Sequence, residues 1–477
     1  MSSMAGNGSY VRVPELGWLT LVVLTAMGLL SPNPSLTLAV WWTVPLFVAL
    51  LWRRYEPPIL LFAVSIQWVA VTTKVFHANI IGVSVSELFL DDVIIEAIVR
   101  GLVGLIVLAL GMRVALMGLP AKGRNELWVE ARGLSETHVW YAYWLALILG
   151  IFLQGIIWST PRLAQILLPV FNIKWVFFFL LAVCVFTKKR GYFLLWSVVG
   201  VEVIIGFSGY FSGFKQVFFV LTVAYLTMGK KLRGTRLFFV AAICAIVFSL
   251  SVVWMAVRDD YRYFVSGGTR MQVVTVSVER RLTKLINLIR DASGKAYIDG
   301  IEGLANRIAY VDMFANVLNY VPSVMPHEDG RLWGKAIRHI LIPRILFPEK
   351  GRLESDSELT MKYTGLRLAS YAQGTSVSMG YMTESYIDFG PIWMYFPVFV
   401  IGALWGGMYR YFITSGRSII LNYGTAVAVL INANQFEMHS TKLIGSMVMS
   451  FIVMALLLKF VLPRLSDWMT DPVRVTS

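Results

Sequence analysis

The sequence predicts an all-α polytopic membrane protein with about twelve transmembrane helices and one large helical loop outside the cytoplasm. Three observations predict it. Hydrophobic residues make up 57% of the chain and charged residues only 15%, where a soluble domain carries roughly 25% charged residues. The apolar residues form continuous Leu/Val/Ile/Phe runs approaching the ~20 residues of a spanning helix, rather than the ~10-residue alternating segments of a barrel. The mean hydropathy is +0.67 although the net charge is +14. That charge sits mostly in short clusters between the apolar runs, where orientation signals belong, and so argues for topology and against nucleic acid.

In chain order the runs predict spans at 16–31, 35–52, 59–74, 93–118, 140–158, 168–187, 192–208, 214–229, 237–257, 391–412, 419–434 and 443–462. The start, MSSMAGNGSYVRVPELG, has a weak charged region and no small-residue cleavage site, so the first span is expected to be retained. One set of connections (RRYE at 53–56, 121–132, KKR at 188–190, 229–236, 409–417 and the tail), with Arg12, holds 18 basic residues. The opposite short loops hold very few. Basic loops stay cytoplasmic, which places both termini there. The chain then divides into spans one to nine (1–257), an extracytoplasmic loop (258–390) and spans ten to twelve with a cytoplasmic tail (391–477). The loop holds 17 Lys/Arg and 15 Asp/Glu, and long translocated segments are exempt from the charge rule. Apolar residues at helical spacing in 279–290 and 302–320 predict amphipathic helices within it. Cys184 and Cys244 both lie inside apolar runs and form no disulfide framework or zinc spacing.

Ionisable residues inside spans mark structural pairs or sites. Glu96 and Arg100 stand four apart and are expected to pair along one helix. Glu202 is expected to be protonated or paired with a neighbouring helix. The stretch GFSGYFSGFKQ (206–216) reads as a tight outer hairpin, with Gly206, Gly209 and Gly213 supplying turn freedom. Lys215 follows it at the outer boundary, where it snorkels or meets an anionic group. In VRDDYRYF (257–264), Arg258 and Arg262 share a helix face, a geometry suited to a phosphate or pyrophosphate. The ordinary alternative is a helix end balanced by Asp259 and Asp260.

Residues 340–350 read ILIPRILFPEK, and 376–390 read SVSMGYMTESYIDFG before the tenth span. With the Ser-Gly-x-Lys of Ser212 to Lys215, this order of motifs resembles the bacterial Wzy-type polymerases of lipid-linked oligosaccharide repeat units, the O-antigen and exopolysaccharide polymerases. Two positions depart from that pattern: Lys215 stands where arginine is more frequent, and Gly351 follows Lys350 where proline is common. The resemblance covers roughly 200–412 in motif. It implies a fold like the GT-C membrane glycosyltransferases and residence in the bacterial cytoplasmic membrane. It also implies transfer of the growing glycan from polyprenyl pyrophosphate to a new lipid-linked repeat unit. The implied partners are those lipid-linked donors and acceptors, the bilayer, a chain-length regulator and a flippase.

In such a transfer Lys215, Arg258, Arg262, Arg344 and Lys350 are the candidate pyrophosphate ligands, acting electrostatically. A sugar hydroxyl needs a base within hydrogen-bond reach; the candidates are Glu384, His439 and His339. Each has a structural alternative, an ion pair for Glu384 and a hydrogen-bonded interface residue for each histidine. The first outer loop, SPNP (31–34), lacks the acid that many metal-using or acid–base members of the wider fold carry. A transfer without metal or other cofactor is the expectation. An O-antigen ligase shares the same cation logic. A flippase for the same lipid calls for internal repeats and midplane helix breaks, and the sequence shows no repeat.

Overall fold

The computed structural model describes residues 15–88, 92–120, 124–160, 163–210, 213–229, 234–269, 274–342, 347, 354–368, 377–416 and 418–470. These residues are overwhelmingly helical, and no β-strand forms among them beyond an isolated bridge between Leu134 and Thr470. The first half comprises α1 (Glu15–Leu29), α2 (Pro34–Leu51), α3 (Ile59–Ile81), α4 (Val93–Ala115), α5 (Glu136–Ser159), α6 (Ile173–Lys188), α7 (Tyr192–Ser208), α8 (Lys215–Thr227) and α9 (Gly234–Val265). The 258–390 segment contributes α10 (Val278–Asp291), α11 (Gly294–Ile308), α12 (Val311–Tyr320), α13 (Arg331–Leu341), α14 (Asp356–Thr364) and most of α15 (Tyr381–Trp393). The chain closes with α16 (Tyr395–Ser415), α17 (Ile419–Leu430) and α18 (Ser440–Phe460).

Among the described residues, eight helices are long and apolar enough to cross a membrane: α2, α3, α4, α5, the run 164–188 that includes α6, α9, α16 and α18. The protein is therefore an all-α membrane protein. Helices also stand at the other expected positions, but α1, α7, α8 and α17 are shorter, at 15, 17, 13 and 12 residues.

Two helices outrun their expected ends. α3 continues past Lys74 to Ile81 because its polar residues find partners: Asn79 donates to Thr37 Oγ1 at 2.8 Å and accepts from Asn33 at 2.9 Å. α9 runs 32 residues, about 48 Å at helical rise, and carries Arg258 and Arg262 within its last turns. The helix expected over 302–320 is two, because α11 ends at Ile308 and α12 restarts at Val311.

The tightest packing joins α4 to α16. A Cβ on Gly402 would sit 2.1 Å from the Leu108 carbonyl oxygen, one on Gly406 2.6 Å from that of Met112, and one on Gly111 2.3 Å from that of Phe399. Gly402 and Gly406 form a small-xxx-small ridge, which lets two membrane helices meet backbone to backbone. At the same end as the 258–390 segment, Arg100 of α4 donates to the Pro391 carbonyl at 3.1 Å. There α15 bends into α16 at Gly390, whose φ of 70° is left-handed. α11 and α12 lie over the ends of α3, α4 and α9, so the segment caps the bundle.

Gly402→Leu is expected to overpack this contact at a cost of about 1–3 kcal/mol or more. The measurement is the melting midpoint and monodisperse yield of detergent-purified protein. Gly407→Ala, whose Cβ would meet nothing within 4 Å, should leave both unchanged.

Candidate functional site

The site is built around the turn between two helices. α17 stops at Leu430, the chain passes through a 3-10 turn at Ile431–Asn434, and α18 starts at Ser440. Backbone groups freed at such a turn need partners when they are buried in the bundle. Gln67 of α3, fully buried, donates to the Ala433 carbonyl at 2.8 Å and accepts from the Tyr381 hydroxyl at 2.7 Å. Gly380 starts α15 at φ 87°, and a Cβ there would lie 2.5 Å from the Phe436 carbonyl oxygen. Glycine is required both for the dihedral and for the close approach.

Glu384 and Asp388 lie one turn apart on α15 and serve two helix N-termini. Asp388 accepts from the Leu332 and Trp333 amides of α13 at 3.0 and 2.7 Å. Glu384 accepts from the amide and hydroxyl of Ser440, the first residue of α18, at 3.1 and 2.5 Å. Both carboxyls thus fill orphan donors at positive helix ends. Glu384 pairs with no arginine among the described residues. Its other oxygen lies 3.2 Å from His439 Nδ1, which also accepts from the Thr441 amide at 3.4 Å.

Burial pushes the Glu384 carboxyl up to about 8, against the hydrogen bonds of Ser440 and aided by the charges of Asp356 and Asp388. Burial likewise presses His439 down to about 4. Both shifts favour the uncharged forms, a neutral carboxyl beside a neutral imidazole, and Glu384 Oε1 makes no hydrogen bond among the described residues.

Beside this pair lies a cluster of charges. Glu437 stands on the turn between the 3-10 segment and α18, Arg307 on α11, and Lys215 at the start of α8. Arg307 and Glu437 are exposed. Burial lowers Arg307, as does the charge of Arg258, while Glu437 opposes. Burial raises Glu437, with Arg307 and Lys215 pulling the other way. Tyr310 also lies within electrostatic reach of Glu437, Asp356 and Glu384, and Arg262 within reach of Arg258 and Arg307. Among the described residues, Lys215, Arg307 and Glu437 form no ion pair within 4 Å, although they lie within electrostatic reach.

A family model described as a domain of unknown function, DUF8712, matches residues 102–464. The chain belongs to the DUF8712 family. The match holds every residue of the charge cluster of this DUF8712 member, from Lys215 to Glu437. No curated protein and no solved structure matches the chain.

The expected residues divide clearly. Lys215, Arg258 and Arg262 lie within electrostatic reach of Arg307. Arg262 stacks on Tyr210 at 4.9 Å and donates to the Tyr210 carbonyl at 3.1 Å, and Arg258 pairs with Asp259 at 2.9 Å. Glu384 and His439 meet each other. His339 sits half-buried in the last turn of α13, outside that pair. Arg344, Lys350 and Ser212 lie outside the described residues. The 206–216 hairpin closes by the Gly213 amide on the Gly206 carbonyl at 3.0 Å. Its three glycines do not take left-handed φ; Gly206 is needed instead because a Cβ would meet the Phe214 nitrogen at 2.3 Å. Glu202 is paired, at 2.6 Å, with Lys174 and also with the Tyr143 hydroxyl, and Glu96 pairs with Arg100 at 2.5 Å.

Sequence reasoning missed Arg307, Glu437 and Lys74. Glu437 had a signal: an acid, a histidine and a lysine crowd the few residues between two apolar runs. Lys74 had one too, as a cation ending the third span. It is buried and reaches Asp312 at 3.0 Å and Asn306 at 3.1 Å, on either side of Arg307 in sequence.

The protonated Glu384 makes a pH prediction. Its folded pKa stands above its unfolded value, so its stabilising contribution is full below the ordinary carboxylate range and lost as pH rises toward about 8. His439 acts oppositely, its contribution being lost as pH falls from its ordinary value toward about 4. Glu384→Gln is expected to flatten the decline in melting midpoint between about pH 5 and 8, read by thermal unfolding across that range.

Proposed function

We propose that this protein polymerises lipid-linked oligosaccharide repeat units. It would transfer the growing glycan from polyprenyl pyrophosphate to a new lipid-linked unit at the outer face of a bacterial cytoplasmic membrane. In this reading about twelve helices cross the bilayer in a GT-C-like arrangement, both termini are cytoplasmic, and the 258–390 segment lies outside.

The observation that carries the reading is the cluster of cations within electrostatic reach of one another, Lys215, Arg258, Arg262 and Arg307, of which Lys215 and Arg307 form no ion pair among the described residues. Charged groups surrounded by protein are ordinarily paired. Cations clustered without partners suit an anion that arrives from elsewhere. Four cations face two carboxylates, Glu437 and Asp259. The surplus of positive charge suits a pyrophosphate diester, with one negative charge on each phosphate. When the sugar–phosphate bond breaks, the leaving group gains further charge, and preorganised cations stabilise it most at that moment. The cap over the bundle brings Arg307 to the membrane helices that carry the other three, so donor lipid and soluble glycan meet at one place.

Two experiments test this. A deletion strain should display surface glycan capped with single repeat units; loss of all glycan, single units included, means a ligase or a flippase instead. Arg307→Ala and Arg258→Ala should each lower chain growth at least ~100-fold, the scale on which removing one electrostatic stabiliser acts, with protein level unchanged. Wild-type chain lengths in both variants would sink the pyrophosphate assignment.

A further inference from the structure

Residues 258–390 rest on the membrane helices partly through α11, whose surface divides into three lengthwise stripes. The first is buried, and includes Gly300 and Leu304. Its small residues let α11 press on α9: a Cβ on Gly300 would lie 3.1 Å from the Val252 carbonyl oxygen and 3.3 Å from the Ala256 nitrogen, and one on Gly303 3.1 Å from Met255 Cε. The second stripe is polar and exposed: Lys295, Asp299, Glu302 and Asn306 recur at the spacing of one helix face. The third is apolar and also exposed, with Ile298 at 69% and Ile301 at 47%. An exposed apolar stripe beside an exposed polar one is the pattern of a helix lying at a lipid–water boundary.

Two contacts fix the level at which α11 lies. On α9 it rests against Val252 and Ala256, in the last apolar turn before Arg258. On α3, Lys74 Nζ reaches Asn306 Oδ1 at 3.1 Å, and Lys74 is the first charge that this helix meets. Both α3 and α9 are long and apolar enough to cross a membrane. α11 thus bridges two such helices where each turns from apolar to charged, so its axis follows the membrane boundary. On the membrane side of this contact α9 is bare. Phe248 precedes Val252 by one turn, about 5.4 Å, on the same face, and is 51% exposed; Ile246 and Cys244 beyond it are exposed too. In a spanning helix such a face is covered by acyl chains, and here the cover ends against the helix that overhangs it.

We propose that α11 is an interfacial helix whose Ile298 and Ile301 are seated in the hydrocarbon edge of the leaflet on the side of residues 258–390. Its partner is the acyl chains of that leaflet, in one continuous surface with the bare face at Phe248. Lys295, Asp299 and Glu302 turn to headgroups and water. Lipid supplies the cover that the protein withholds from the two isoleucines. The assignment is independent of the polymerase reading and holds for any activity. It also fixes the depth of Arg307, which stands in the last turn of the same helix, at headgroup level.

The test uses the full-length protein in nanodiscs, carrying a nitroxide on a single cysteine. Power saturation reads its collisions with oxygen, which concentrates in hydrocarbon, and with a water-soluble nickel chelate. Native Cys244, exposed on α9, is the lipid reference, and Cys184 is buried away from the label. With Cys244→Ser in the background, the label is placed at Ile298→Cys and, in a separate protein, at Asp299→Cys. The oxygen-to-nickel ratio is expected above unity at 298, as at Cys244, and below unity at 299. A 298 label that meets mainly nickel faces water and overturns the proposal. One that meets neither is covered by protein, such as a second copy, and overturns it too. Lipid exposure at both sites would put the helix wholly beneath the boundary, which is again against it. If Ile298→Cys does not fold, Ile301→Cys on the same stripe carries the same expectation.

Discussion

The turn between α17, which ends at Leu430, and α18, which starts at Ser440, buries backbone polar groups, and those groups need protein partners. The surrounding structure follows from that need. Gln67 reaches from α3 to the Ala433 carbonyl. Glu384 reaches from α15 to the Ser440 amide, and Gly380 lets the two backbones meet. Two distant parts of the sequence, α3 and the start of α15, are thereby tied to this turn. The turn holds Glu437 and His439, so the requirement that stabilises it also orients the candidate chemistry.

The charges of the molecule fall into two kinds, and the difference is one of saturation. Arg53 with Glu56, Lys174 with Glu202 and Arg100 with Glu96 are closed pairs. They join helices or brace single ones, and removing one partner would strand the other. Lys215, Arg307 and Glu437 form no ion pair among the described residues, although each feels the charge of another.

Much of the fold was legible because its signals are local. Apolar runs fixed the helix positions to within a few residues, and the i,i+4 spacing of Glu96 and Arg100 gave their pairing outright. The ends of α3 and α9 were not legible. Lys74, Asn79 and Arg258 read as boundary residues, while their partners Asp312, Thr37 and Asp259 allow the helix to continue. The site was legible by composition and not by assignment. Lys215, Arg258 and Arg262 could be placed at one end by topology, but Arg307 sits in an amphipathic stretch among other cations with nothing to single it out. Glu384 looked like a base from its motif. Its sealed position as a helix cap depends on α18, more than fifty residues away, and no spacing rule reports that.

The contact of Lys74 with Asn306 and Asp312 bears on what counts as a unit in this protein. Residues 258–390 look like an insertion with its own composition, a piece that could be cut out. Yet burial raises Asp312, and Lys74 of α3 is its countercharge. Arg307 takes its place from the same anchorage. Excised, the segment would leave behind the cation that neutralises its interior and the helices its apolar faces lie on. It is not a unit of folding, and the arginine it carries has meaning only while the segment stays attached to the helices it packs on.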